Sequence, residues 1–100
     1  MSQIKTVSPK DPDSVEWFSI DFANYLRDGD EIDELVEVAI DEGGTGLMVV
    51  EDTPGKNGTV VSFKLSGGTL DKTYRVRARV TTTPSEETLD QSLNVAIATQ

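Results

Sequence analysis

Apolar residues in this chain recur at every second position rather than at the spacing of a helix face. Tyr74, Val76, Ala78 and Val80 alternate with Arg75, Arg77 and Arg79. A strand with that pattern turns one set toward a core and the three arginines toward the opposite face. Leu89, Gln91, Leu93, Val95 and Ile97 keep the same period after the turn-like Pro84-Ser85-Glu86-Glu87. Earlier, Phe18, Ile20 and Phe22 alternate with Ser19 and Asp21, and Val36, Val38 and Ile40 alternate with Glu37, Ala39 and Asp41. Val61, Phe63 and Leu65 alternate with Ser62 and Lys64, and Leu47 to Val50 is a shorter apolar run. Breakers separate the runs: Pro9 and Pro12, Asp28-Gly29-Asp30, Gly43-Gly44-Thr45-Gly46, Pro54-Gly55-Lys56-Asn57-Gly58, Gly67-Gly68 and Pro84. The spacing predicts strands over 3–7, 15–24, 32–41, 47–53, 59–66, 72–83 and 88–99. Residues 22–30 hold either the end of a strand or a helical turn, and 43–46 reads as a hairpin tip.

About seven short strands with turn signals every ~8–12 residues describe an all-β sandwich or barrel. Leu70-Asp71-Lys72-Thr73-Tyr74-Arg75-Val76 narrows the choice, because it resembles the tyrosine corner of immunoglobulin-like and fibronectin type III-like domains. In that arrangement Tyr74 would bond back to upstream backbone and Val76, two places on, would fill the core. Trp17 falls on the second strand rather than the third, which separates the chain from antibody-type domains. The expected fold is therefore an immunoglobulin-like antiparallel β-sandwich. With 100 residues there is room for one core. Residues 15–100 form the sandwich domain in this reading, and the polar, proline-containing residues 1–14 form an N-terminal arm or edge strand.

Composition removes several kinds of chemistry. The chain has no cysteine and no histidine, so it lacks disulfides, thiolate metal sites, the usual neutral-pH base and the commonest transition-metal ligand. Its net charge is −9, unevenly placed: residues 1–50 carry 12 acids and 3 bases, residues 51–100 six of each. Eight acids and no base lie between Asp28 and Glu42. Nucleic acid and anionic membranes would repel such a chain. The opening Met1-Ser2-Gln3-Ile4-Lys5 has no apolar core of a signal peptide, and no stretch approaches the ~20 apolar residues of a membrane span.

The remaining clusters read as structure before chemistry. Asp28, Asp30, Glu31, Asp33 and Glu34 crowd a turn, but nothing in the sequence holds two of them at a catalytic separation in a cleft. The same segment lacks the order of a calcium loop. Gly43-Gly44-Thr45-Gly46 has no Lys-Ser/Thr and opens no helix, so it is no phosphate cradle. No catalytic, cofactor-binding or metal-binding residue is assigned, and no cofactor is expected. If Arg75, Arg77 and Arg79 share a sheet with the third strand, Glu37 and Asp41 lie on their face and cross-strand ion pairs follow. The alternative is that this row docks an acidic patch on a partner or symmetry mate.

Several stretches together resemble a known family. Lys10-Asp11-Pro12-Asp13-Ser14-Val15, the aromatic–Asp strand Phe18 to Phe22, Leu26 and Gly29-Asp30-Glu31-Ile32 are similar to the opening of small virion proteins of tailed bacteriophages. Leu65-Ser66-Gly67-Gly68-Thr69, Thr73-Tyr74-Arg75-Val76, Arg79-Val80-Thr81-Thr82 and Asp90-Gln91-Ser92-Leu93-Asn94-Val95 extend the resemblance over nearly the whole chain. Residues 28–42 are more acidic than the family pattern. The resemblance implies an immunoglobulin-like, non-enzymatic structural protein of the virion, assembled in the host cytoplasm. It implies an adaptor joining fibers to the tail or the head–tail connector, with a capsid cement or decoration protein as the alternative. Its partners would be fiber, tail, neck or capsid proteins, and its copies would form a symmetric oligomer or ring. Arm contacts would come from Ile4, Val7, Pro9 and Pro12. A carbohydrate-binding module, built on exposed aromatic residues among Trp17, Tyr25 and Tyr74, is the alternative from another class.

Overall fold

The computed structural model describes residues 4–6 and 9–99. Its strands are β1 (Ile4–Thr6), β2 (Val15–Asp21), β3 (Glu31–Glu42), β4 (Leu47–Val49), β5 (Gly55–Asn57), β6 (Val60–Gly67), β7 (Thr73–Thr83) and β8 (Thr88–Ala96). One sheet has the order β1-β8-β7-β3; the other has β2-β6-β4, with β5 also paired to β6. All ladders are antiparallel except β1 with β8. The chain thus changes sheet between β1 and β2, β2 and β3, β3 and β4, and β6 and β7, as a sandwich requires.

The two long central strands carry the interior. Along β7, Tyr74, Val76, Ala78 and Val80 are all at zero exposure, and along β6 so are Val61, Phe63 and Leu65. Leu93 and Val95 from β8 and Ile20 from β2 join them, with Phe22 directly after β2. Each fully buried side chain of this size stabilises the fold by about 1.5–3 kcal/mol relative to exposure, so this two-residue rhythm dominates the energetics.

Departures from the expected pattern have local causes. Strand β3 contains three register shifts against β7, between Ile32 and Glu34, Leu35 and Glu37, and Ile40 and Glu42. Each shift inserts one residue, so Leu35 rather than Val36 opposes Val80, and Val36 is 51% exposed. The expectation that Val36 belongs to an unbroken alternation is corrected: a bulge changes which parity faces inward. The strand expected over 47–53 ends at Val49, because Val50 and Thr53 close a turn in which the Thr53 amide and hydroxyl both donate to the Val50 carbonyl. The supposed breaker at 54–58 contains strand β5, joined to β6 by the two-residue loop Gly58-Thr59. Residues 22–30 hold one 3-10 turn, Ala23–Tyr25. Gly43–Gly46 is not a hairpin tip, since it links β3 and β4 in different sheets.

That link is fastened by Tyr74. Its hydroxyl donates to the Thr45 carbonyl at 2.6 Å and accepts from the Thr69 amide at 3.0 Å. Gly43, at φ +116, lies so close that a Cβ there would sit 2.6 Å from Tyr74 Cδ2. Only glycine fits both the backbone angle and the contact. Leu70 is 47% exposed, whereas Val76 is fully buried. Replacing Tyr74 with Phe leaves two backbone groups without their partner, at a cost of about 1 kcal/mol. The thermal midpoint should fall by about 4–8 °C, and calorimetry showing no change would remove this role.

Candidate interaction surfaces

The outer face of the larger sheet is a ladder of ion pairs. Arg75, Arg77 and Arg79 face outward from β7, in register with Glu42, Ala39 and Glu37 of β3 and with Asn94, Ser92 and Asp90 of β8. The Arg77 guanidinium donates to Glu37 at 2.7 Å and lies 3.4 Å from Asp41. Arg79 binds Asp90 through two hydrogen bonds of 2.8 and 2.9 Å, and Arg75 reaches Glu42 at 3.5 Å. Hydrogen bonding to Arg79 draws the Asp90 carboxyl below the usual carboxylate range, against the opposing effect of burial. Arg79 in turn is held more firmly protonated, first by that hydrogen bond and then by the Asp90 charge. All three arginines thus have acidic partners within the chain, so docking an acidic partner would require exchanging them.

The acidic turn is fixed in a similar way. Asp30 accepts from the Ser85 hydroxyl at 3.0 Å, and Arg27 makes a bidentate pair with Glu87 at 2.9 and 3.1 Å. These contacts tie the segment before β3 to the β7–β8 loop. Among the described residues no three acidic side chains gather where they could hold a metal ion. Tyr74 is buried and Tyr25 partly covered, which leaves Trp17 as the exposed aromatic of the three considered for sugar stacking.

Lys10 was not singled out in the sequence, yet it is fully buried. Its ammonium donates to the carbonyls of Asp11 at 2.8 Å, Ser14 at 2.6 Å and Gly67 at 2.8 Å. Its own backbone bridges to Ala96 and Ala98, so the segment before β2 is locked to the ends of β6 and β8. Burial pushes the Lys10 ammonium below the usual lysine range, while Glu16, Asp11 and Asp13 pull it upward. The Asp-Pro turn that follows supplies two of the three carbonyls, but nothing local announces the third, 57 residues away. Of the residues expected to make arm contacts, Pro9 is exposed and Pro12 partly covered. Ile4 lies in β1 opposite Ser92, and Val7 lies outside the described residues.

The outer face of the smaller sheet is different in kind. Its rows, read from the register, are Val15–Ser66–Met48, Trp17–Lys64, Ser19–Ser62 and Asp21–Val60. Val15, Trp17 and Met48 are 57%, 59% and 63% exposed, and the Lys64 ammonium stands 5.2 Å from the Trp17 ring centroid.

The sandwich thus presents one ion-paired face and one largely apolar face. The family described as podophage GP4 fiber-tail adaptor protein gp77 matches residues 10–96. This chain belongs to that family. As a member of the gp77 family it is a structural component of a bacteriophage particle. No curated protein and no solved structure matches it. Among the described residues no helix is long and apolar enough to cross a membrane. The matched span runs from Lys10, where the buried knot begins, to Ala96, the end of β8.

The ion-pair ladder makes a specific pH prediction. A carboxyl whose folded-state pKa is depressed contributes stability at pH values above its unfolded pKa, and loses it as pH falls through the folded value. Arg79→Gln should therefore move the Asp90 titration, followed by carboxyl NMR, up toward the usual range near ~3.9. It should also make the loss of stability below about pH 4 shallower. An unchanged Asp90 titration would show that the crossed pair does not form in solution.

Proposed function

We propose that this chain is a non-enzymatic adaptor that joins fibers to the tail, or to the head–tail connector, of a podophage-type particle through protein–protein contacts. The supporting observation is the family match over residues 10–96, carried on a sandwich whose arginine row and buried Lys10 are partnered within the chain. The chain has neither histidine nor cysteine. Its buried cation, Lys10, is spent on three carbonyls. Nothing among these groups offers the base, nucleophile and orienting partner of a catalytic site.

In this reading the partners are other virion proteins, the copies stand in a symmetric arrangement around the tail axis, and assembly takes place in the host cytoplasm. Nucleic acid and membranes are not partners of a chain at −9. The strand order, with β8-β7-β3 facing β2-β6-β4, supports an immunoglobulin-like reading of the sandwich, and the Tyr74 bonds to Thr69 and Thr45 support a tyrosine corner. Residues 1–14 serve as an arm whose last part, from Lys10, is anchored on the sandwich.

Cryo-electron microscopy of the phage that encodes the chain separates the roles. Density for the sandwich is expected at the unique vertex, between fiber and tail or connector. Density spread over the icosahedral shell would overturn the adaptor reading in favour of a capsid cement protein.

A further inference from the structure

We infer that strand β2 and the outer face beside it form a self-association surface, on which a second copy of this chain pairs antiparallel through its own β2. The inference concerns copies of one chain and holds independently of the adaptor reading.

The four sheet edges are not equivalent. Strand β3 is guarded by three bulges and by Glu31, Asp33, Glu34, Glu37, Asp41 and Glu42, devices that prevent edge pairing. The β4–β5 edge is broken into two three-residue strands separated by a turn, and β1 spans three residues among those described. By contrast, β2 is an end strand of seven residues in unbroken register with β6, with no proline and no bulge. It is the long, regular edge among the described strands.

Charge identifies the occupant. Two chains at −9 repel each other over most of their surfaces. The outer face of β2, β6 and β4 is the exception, since it carries one cation, Lys64, and one anion, Asp21. An antiparallel pair of β2 strands related by a two-fold axis at Ser19 sets Asp21 of the second copy opposite Trp17. The Lys64 ammonium already leans over that ring from β6. The same contact is made twice, as a two-fold interface demands. Trp17 and Val15, more than half exposed in the single chain, are then covered.

The area sets the strength. Seven residues span about 23 Å at ~3.3 Å each, and such an edge buries less than the ~800 Å² per partner of a standard stable interface. Self-association is therefore weak, and as a two-fold contact it closes at a dimer.

The absence of cysteine makes the test direct. In Ser19→Cys the new thiols of two copies meet at the axis, so mild oxidation should give a disulfide dimer much faster than in Lys72→Cys, an exposed site in the turn before β7. Sedimentation of the cysteine-free chain should show a concentration-dependent dimer that Trp17→Glu weakens roughly tenfold or more, with its thermal midpoint unchanged. Equal cross-linking of the two cysteine variants, a chain that stays monomeric at millimolar concentration, or a dimer insensitive to Trp17→Glu would each overturn the inference.

Discussion

Everything in this protein hangs on the dry contact between β6 and β7. Each strand presents every second side chain to the other sheet, and those positions have no exposure at all. The cluster these positions form is apolar apart from the Tyr74 hydroxyl, which is bonded to two backbone groups. Selection on function is left with the outer faces, the edges and the loops. Among the described residues the one buried charge, on Lys10, sits at the margin of that interior and is satisfied by three carbonyls. Leaving it unpaired there would cost far more than its hydrogen bonds return.

The two outer faces resolve the polar side of the problem in opposite ways. On the larger sheet, arginines from the middle strand neutralise carboxylates from both neighbours, so the acidic edge strand is tolerated and its charge deters pairing. Exposed pairs of this kind add little stability; their effect is on which surfaces can approach. On the smaller sheet the face is nearly neutral, with Trp17, Val15 and Met48 exposed. A structural component of a phage particle must stay soluble as a free chain and yet adhere once assembled. Acidic repulsion over most of the surface, with one nearly neutral, apolar face, meets both requirements.

Much of the architecture was legible in the sequence because two-residue alternation survives wherever a strand is regular. Strands β6, β7 and β8 fall within a residue or two of the runs that carry them, apart from the last three residues expected of β8. Strand β3 hid its inward face, since each of its bulges shifts the parity and turns Val36 outward. Strand β5 hid inside a turn-rich segment because its side chains are all exposed and carry no apolar signal. The arginine row was legible as a face, and its cross-strand partners Glu37 and Asp41 followed from topology. Lys10 was not, because its burial is set by the Gly67 carbonyl far along the chain, and local composition carries no record of such a contact.

If the β6–β7 contact is the foundation, stability should be graded outward from it. Residue-resolved amide hydrogen exchange is the most direct measurement. The account requires the slowest amides to lie in Val61–Leu65 and Tyr74–Thr82, exchanging only by global unfolding, with β4 and β5 opening earlier. Fast exchange in the middle of β7, with the strongest protection in β3 or in the loops, would contradict it.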